Sequence, residues 1–182
     1  MESYADIIDK LKTKGVKFSN GLSDREVSAI ENNFDFVFPP DLRQFLHTAV
    51  PLGDAFVNWR SMQDVQRRIA FVWEGISFDI QRNLFWCSGW GEKPEKLAEQ
   101  LRVAEEHFKT YPKLIPIYSH RYIPSLPTLA GNPVFSVLGT DIINYGYDLT
   151  SYLEHEFGFR SYESLFSKEH PYRKILFWSE FV

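Results

Sequence analysis

The stretch that decides the fold reads LIPIYSHRYIP at residues 114–124 and, after a loop rich in Pro and Gly, NPVFSVLGTDIINYGYDLTSYLEHEF at residues 132–157. Two apolar runs with strand-like alternation, Leu114–Tyr118 and Val134–Leu138, predict two β-strands. A third run, Asp141–Tyr145, follows closely and extends the same pattern. The segment therefore predicts the middle of a sheet, with the loop His120-Arg121-Tyr122 as a polar surface at its edge.

The helices expected around this sheet are marked by capping residues and by prolines. Ser23 followed by Glu26 is a capping box, in which the hydroxyl and the carboxylate each accept a hydrogen bond from a free backbone N–H at the helix start. Apolar residues at helical spacing extend each predicted helix. The predicted helices cover residues 3–14 and begin at Ser23, at Pro39-Pro40, after Ser61, at Pro94 and at Asp148.

Two further segments complete the expected organisation. Residues 76–80 read Ile-Ser-Phe-Asp-Ile, an alternation typical of a half-buried strand. We expect a turn at Glu74-Gly75 before this strand and a hairpin partner at Leu84–Cys87 after it. The apolar run Ile175–Trp178 is expected to dock on the main body of the fold.

Composition limits the class of protein. The chain has 182 residues, 44% of them apolar and 16% aromatic, which suits one domain with a sizeable core. A net charge of -4 and a pI near 5.7 argue against a nucleic-acid partner. Cys87 stands alone, so no internal disulfide is expected. The sequence shows no signal peptide and no apolar run of about 18 residues. We therefore expect a cytoplasmic protein with no membrane partner.

No motif in the sequence brings catalytic or cofactor-binding groups together. The sequence contains no phosphate-binding loop, dinucleotide fingerprint or Gly-x-Ser-x-Gly elbow. The five histidines lack a second His or Cys at metal-ligand spacing; they are His47, His107, His120, His155 and His170. We therefore expect no catalytic residue, no metal site and no cofactor.

The loop His120-Arg121-Tyr122 is the best candidate for a functional surface. It offers a guanidinium group, an imidazole that titrates near neutrality and a phenol. Three interpretations stay open. Arg121 pairs with Asp141 or Asp79 and braces the loop, or the loop contacts a partner, or it contributes to catalysis.

Aromatic and acidic residues add to this candidate surface. We expect Trp86 to be buried and Trp90, which lies between two glycines, to be half exposed as an interface anchor. The segment from Asp141 to Glu156 contains four acidic residues and no Lys or Arg, so it forms either a solvated face or a shallow acidic patch for a basic partner. The candidate binding residues are therefore Trp90, His120, Arg121, Tyr122, Asp141 and Tyr145.

The order of these motifs resembles the SUKH superfamily. Gly21-Leu22-Ser23 with Glu26, followed by Phe38-Pro39-Pro40-Asp41, is similar to the opening of that family. The rest resembles a divergent bacterial subgroup and spans most of the chain, most clearly residues 22–157. Its pieces are Glu74-Gly75-Ile76, Phe85-Trp86, Trp90-Gly91, Leu114–Tyr118, His120-Arg121-Tyr122, Asn132-Pro133-Val134, Thr140-Asp141-Ile142 and Tyr145-Gly146.

The resemblance implies a fold and a type of function. It implies a single α+β domain over residues 1–182, with a mostly antiparallel central sheet, N-terminal helices packed at its side and residues 159–182 as a docked extension. The family has no established catalytic residues. Its bacterial members neutralise partner toxins by binding them, and its fungal members are interaction hubs in cell-wall regulation.

We therefore expect a non-enzymatic protein-binding domain, of the immunity type, that neutralises a partner toxin, with a basic toxin as the favoured partner. One alternative is an intracellular regulatory scaffold with several partners. Another is a small hydrolase or ligand-binding protein, which requires His120, Arg121, Asp79 and Asp141 to converge on one pocket.

Overall fold

The computed structural model describes residues 4–166 and 171–182. This part of the chain forms an α+β fold, as the sequence predicts. Its elements in chain order are α1 (Tyr4–Thr13), β1 (Lys17–Asn20), α2 (Asp24–Phe34), α3 (Pro40–Thr48), β2 (Ala49–Leu52), α4 (Met62–Arg82), α5 (Leu97–Phe108), β3 (Leu114–Tyr118), β4 (Arg121–Pro124), β5 (Val134–Leu138), β6 (Asp141–Gly146) and α6 (Leu149–Glu156). Short 3₁₀ turns cover Ser88–Trp90, Glu163–Phe166 and Trp178–Glu180.

Strands β3 to β6 form one antiparallel sheet, in which each strand pairs with the next along the chain. Strands β3 and β5 have the bounds that alternation predicts, and β6 extends one residue beyond its predicted end. Strands β1 and β2 form a separate two-stranded sheet, which the sequence did not predict.

Both faces of the four-stranded sheet are buried over β3, β4 and most of β5, whereas Asp141 and Ile143 on the edge strand β6 are exposed. On one face Ile115, Ile123 and Val134 join a core that includes α1, α2, α3 and α6. On the other face Phe135 and Val137 join a second core with α4, α5 and the C-terminal segment. Because successive side chains of a strand point to opposite faces, helices on both sides require apolar residues at nearly every position. The central strands accordingly read as apolar runs.

The residues predicted to form a strand at 76–80 lie inside α4. The predicted strand, the turn at Glu74-Gly75 and the hairpin to Leu84–Cys87 are therefore wrong. Val72, Ile76 and Ile80 are at most 2% exposed and repeat every four residues, whereas Phe78 is 57% exposed. Residues four positions apart, such as Ile76 and Ile80, lie on the same side in a strand and nearly so in a helix. The short alternation is therefore compatible with either element.

The start of α2 is joined to the loop that precedes α4. Ser23 and Glu26 form the predicted capping box. The Glu26 carboxylate accepts hydrogen bonds from the Ser23 backbone N–H at 2.8 Å and from Arg60 Nε at 2.7 Å, which lower the pKa of Glu26 to about 2. Arg60 Nη2 also donates to the carbonyls of Asn20 and Gly21, each at 3.2 Å. One guanidinium group thus fixes two loops.

The C-terminal segment packs on the second core. Ile175, Phe177 and Trp178 are at most 2% exposed, whereas Leu176 between them is 68% exposed. Trp178 Nε1 donates to the carbonyl of Pro112 at 2.7 Å. The segment therefore lies beside the first residues of β3, at the opposite end of that strand from His120.

Candidate functional site

The loop His120-Arg121-Tyr122 is not the exposed surface that the sequence predicts. Arg121 begins β4, and all four residues of this strand are buried. Tyr122 is 1% exposed and its hydroxyl donates to the carbonyl of Arg68 at 2.9 Å. Burial raises the pKa of Tyr122 to about 12. Tyr122 is therefore a core residue and only His120 remains in the turn between β3 and β4.

Arg121 holds the sheet to α6. Its Nε donates to Glu156 Oε2 at 3.1 Å, its Nη1 donates to Ser136 Oγ at 2.9 Å, and its guanidinium carbon lies 3.8 Å from the centre of the Tyr145 ring. The expected bracing by Arg121 is present, but the carboxylate is Glu156 rather than Asp141 or Asp79. Tyr145 is half-buried, and its ring also contacts the rings of Tyr152 and His155.

Asp79 is also used to hold the fold together. Its carboxylate accepts hydrogen bonds from the backbone N–H and the hydroxyl of Thr140, at 2.7 and 2.9 Å, and from the Asn83 amide. These contacts attach α4 to the turn between β5 and β6. Of the four residues that the hydrolase alternative requires, Arg121 and Asp79 are fixed in structural contacts and Asp141 is exposed on β6. The expected convergence of these side chains on one pocket is not formed.

The two tryptophans exchange their expected environments. Trp90 is 5% exposed, and its Nε1 donates to the Tyr111 hydroxyl at 2.8 Å. Trp86 is half-buried and donates to the carbonyl of Gly91 at 2.9 Å. The prediction of Trp90 as an exposed anchor is wrong because the 3₁₀ turn at Ser88–Trp90 directs its indole into the core, against Phe85 and Phe177.

The four acidic residues from Asp141 to Glu156 do not form the shallow acidic patch that was one of the two alternatives for this segment. Asp148 caps α6, and Glu156 pairs with Arg121. Glu154 accepts hydrogen bonds from Lys10 and Arg160, each at 2.7 Å; burial alone would raise the pKa of Glu154, but these two cations hold it below its usual range. Within residues 4–166 and 171–182, Asp141 is the one member of the four that has neither an ion pair nor a capping role.

The surface left open at this end of the sheet is a groove between α4 and the β3–β4 and β5–β6 turns. We call it the turn-end groove. Its volume is about 320 Å³, and its walls are Asp54, Ala55, Arg67, Arg68, Phe71, Ser119, His120, Tyr122 and Leu138. Phe71 is 41% exposed and Leu138 is 50% exposed, so large apolar side chains face solvent here. Sequence reasoning identified only His120 and Tyr122 of these residues as candidates.

The walls of the turn-end groove are fixed by hydrogen bonds. Arg68 donates to Asp64 at 3.0 Å and to the carbonyls of Asp54, Ala55 and Phe56 at 2.8 to 3.2 Å. The backbone N–H of Ser119 donates to the carbonyl of Ala55 at 2.7 Å. The loop before α4 and the β3–β4 turn are thereby held together.

His120 gives this region a pH dependence. Partial burial, and then the nearby positive charge of Arg121, lower the pKa of His120 below its usual value of 6.5. Below about pH 6.5 the unfolded chain therefore binds a proton that the folded chain does not, and stability falls as pH decreases. We expect the wild type to lose stability relative to His120→Gln between pH 7.5 and pH 5, measured by urea unfolding at each pH. Parallel stability curves for the two proteins would contradict this assignment.

Comparisons with known proteins leave the family unassigned. Neither the protein-family models, nor the curated proteins, nor the solved structures gave a significant match to this chain. In the part of the chain that the structure describes, no three His, Cys, Asp or Glu side chains are grouped to hold a metal ion; His170 lies outside that part. No helix among the same residues has the length and apolar character to cross a membrane.

Proposed function

We propose that this chain is a non-catalytic protein-binding domain that neutralises a partner toxin by covering part of its surface. One observation carries the proposal. Two charged side chains that the hydrolase alternative requires are held in internal contacts, Arg121 with Glu156 and Asp79 with Thr140. Around the turn-end groove, by contrast, large apolar side chains are exposed. A surface with exposed large apolar groups and a polar rim is typical of a protein–protein contact.

The sequence supports the choice of a toxin as partner. The motif order resembles the SUKH superfamily, whose bacterial members act by binding toxins. The net charge of -4 favours encounter with a basic partner, because opposite charges accelerate association. A regulatory scaffold remains the alternative of a different class, and it differs in predicting several cellular partners in place of one tightly bound toxin.

The test is co-expression with each candidate toxin whose gene lies beside the gene for this chain. Cells that express the toxin alone should stop growing, and cells that also express this chain should grow and yield a stable complex of the two proteins. An unrelated toxin is the control, and it should still stop growth. If the neighbouring toxin stays active and unbound at high levels of this chain, the proposal is wrong. Recovery of several housekeeping proteins would favour the scaffold alternative.

A further inference from the structure

Strand β6 is an open edge of the four-stranded sheet. It pairs with β5 on one side and with no strand on the other. Leu138 and Asp141 flank a two-residue turn and therefore exchange backbone hydrogen bonds, and from there the direction of the backbone groups alternates along the strand. Ile142 and Asn144 consequently direct their N–H and C=O groups away from β5. Within residues 4–166 and 171–182, these outward groups have no hydrogen-bond partner.

The edges of β1, β2 and β3 carry features that hinder pairing with another chain, and the edge of β6 does not. On β3, the other edge of the large sheet, Phe56 forms a bridge to Tyr118. In the small sheet, β2 contains Pro51, which lacks an N–H, and in β1 the carbonyl of Asn20 accepts a hydrogen bond from Arg60 at 3.2 Å. Natural edge strands are protected by proline, by basic side chains or by a covering loop. Strand β6 contains no Pro, Lys or Arg, and with six residues it is the longest strand described.

We propose that β6 pairs antiparallel with β6 of a second copy of this chain, so that the two four-stranded sheets become one continuous sheet. The two-fold axis passes beside Ile143. Ile142 of each copy then exchanges both of its outward backbone hydrogen bonds with Asn144 of the other copy, which gives about four bonds. This inference goes beyond the proposed function and does not depend on the identity of the toxin.

The side chains of β6 are compatible with themselves in this register. Ile143 is 41% exposed, and it meets Ile143 of the other copy in a non-hydrogen-bonded pair, where side chains approach most closely. Asp141 is the one charged residue of the strand, and it lies opposite Tyr145 of the other copy. The two copies of Asp141 are therefore about 13 Å apart along the strands, whereas a pairing centred on Ile142 would bring them to about 7 Å. Charge thus favours the axis at Ile143.

The first experiment measures the mass of the full chain by analytical ultracentrifugation at increasing concentration. We expect the mass to rise from 21.3 kDa towards twice that value, and the amide hydrogen exchange of Ile142 and Asn144 to slow in parallel. Ile143→Lys should weaken self-association by about tenfold or more, because two ammonium groups would meet at the axis. Leu176→Lys is the matched control, since Leu176 is 68% exposed on the C-terminal segment, and it should associate as the wild type does. Thermal unfolding of each variant checks that the fold is intact.

The second experiment tests the register by disulfide formation. Ile143→Cys and Asp141→Cys are each combined with Cys87→Ser, which removes the natural thiol. Facing Cα atoms of a non-hydrogen-bonded pair are about 4.5 Å apart, so mild oxidation should link two copies of Ile143→Cys. The copies of Asp141 are about 13 Å apart, beyond the roughly 7 Å that a disulfide spans between Cα atoms, so Asp141→Cys should stay unlinked on a non-reducing gel.

The outcomes separate this inference from the proposed function. A wild type that stays at 21.3 kDa at every concentration, or an Ile143→Lys variant that associates as the wild type does, would overturn the pairing of β6 with itself. Equal cross-linking of Ile143→Cys and Asp141→Cys would overturn the register. If the amides of Ile142 and Asn144 become protected only when a toxin binds, β6 pairs with the toxin, so the inference is wrong while the immunity function stands. If the dimer forms as described but no toxin is neutralised, the immunity function alone fails.

Discussion

Replacing Arg121 with Met is expected to lower the free energy of unfolding by about 3–5 kcal/mol, the usual cost of leaving one member of a buried ion pair without its partner. Arg121 is 8% exposed, and its loss removes the hydrogen bonds that it donates to the Glu156 carboxylate and to the Ser136 hydroxyl. It also removes the cation from the Tyr145 ring. Urea unfolding followed by circular dichroism measures the effect.

A second variant separates the ion pair from the packing. The double variant Arg121→Met with Glu156→Gln removes the stranded charge as well, so we expect it to be more stable than Arg121→Met alone. Arg102→Met is the matched control, because Arg102 forms two ion pairs on the exposed face of α5 and should unfold at nearly the wild-type urea concentration. An Arg121→Met variant as stable as the Arg102→Met control would show that Arg121 is not a structural brace.

Replacing Gly139 with Ala is expected to cost about 3 kcal/mol. Gly139 has φ +62°, a conformation that costs an L-residue roughly 1–2 kcal/mol. A Cβ atom at this position would also overlap the Asp79 carboxylate that binds Thr140, and such overpacking adds roughly 1–3 kcal/mol. The cause is the close approach of α4 to the β5–β6 turn, where Gly75 and Gly139 are in backbone contact.

Gly15→Ala provides the control for the backbone contribution. Gly15 has φ +84°, but a Cβ atom there would meet nothing within 4 Å. We therefore expect Gly15→Ala to cost only the conformational part, about 1–2 kcal/mol. Urea unfolding of both variants decides the matter. If Gly139→Ala and Gly15→Ala lose the same stability, the β5–β6 turn moves away from α4 at little cost, and the close packing of the two is not important for stability.

The parts of the fold that sequence reasoning predicted are those set by local chemistry. Strands β3 and β5 were predicted because alternating apolar residues are bounded by turn residues. The starts of α2 and α6 were predicted because the capping contacts of Ser23 and Asp148 join residues only three positions apart. Signals of this kind are complete within a few residues, so one sequence is enough to read them.

The parts of the fold that sequence reasoning missed depend on contacts between residues that are far apart in the chain. The sequence places Arg121 in an exposed loop, because its partner Glu156 lies 35 positions away and nothing local indicates a buried guanidinium group in a strand. The pattern of residues 76–80 predicts a strand, because Phe78 between Ile76 and Ile80 completes an alternation within five residues. Over the wider window from Val65 to Ile80 the buried residues have a helical period.

The candidate site was missed for the same reason. Phe71 and Leu138 are 67 positions apart, and each alone is an ordinary apolar residue. They become a surface only because α4 crosses the end of the sheet where Gly75 meets Gly139. The sequence of α4 contains one indication of this surface: two large apolar residues, Phe71 and Phe78, lie outside the buried stripe of the helix.

Titration of the toxin's activity with this chain tests the central claim most directly. The purified toxin is held at fixed concentration, this chain is added in steps, and the toxin's remaining activity is measured at each step. The account predicts a linear fall in activity to a plateau near zero at a fixed molar ratio, with a complex of the same ratio recovered by gel filtration. Activity that stays unchanged at excess of this chain, with the two proteins eluting separately, would contradict it.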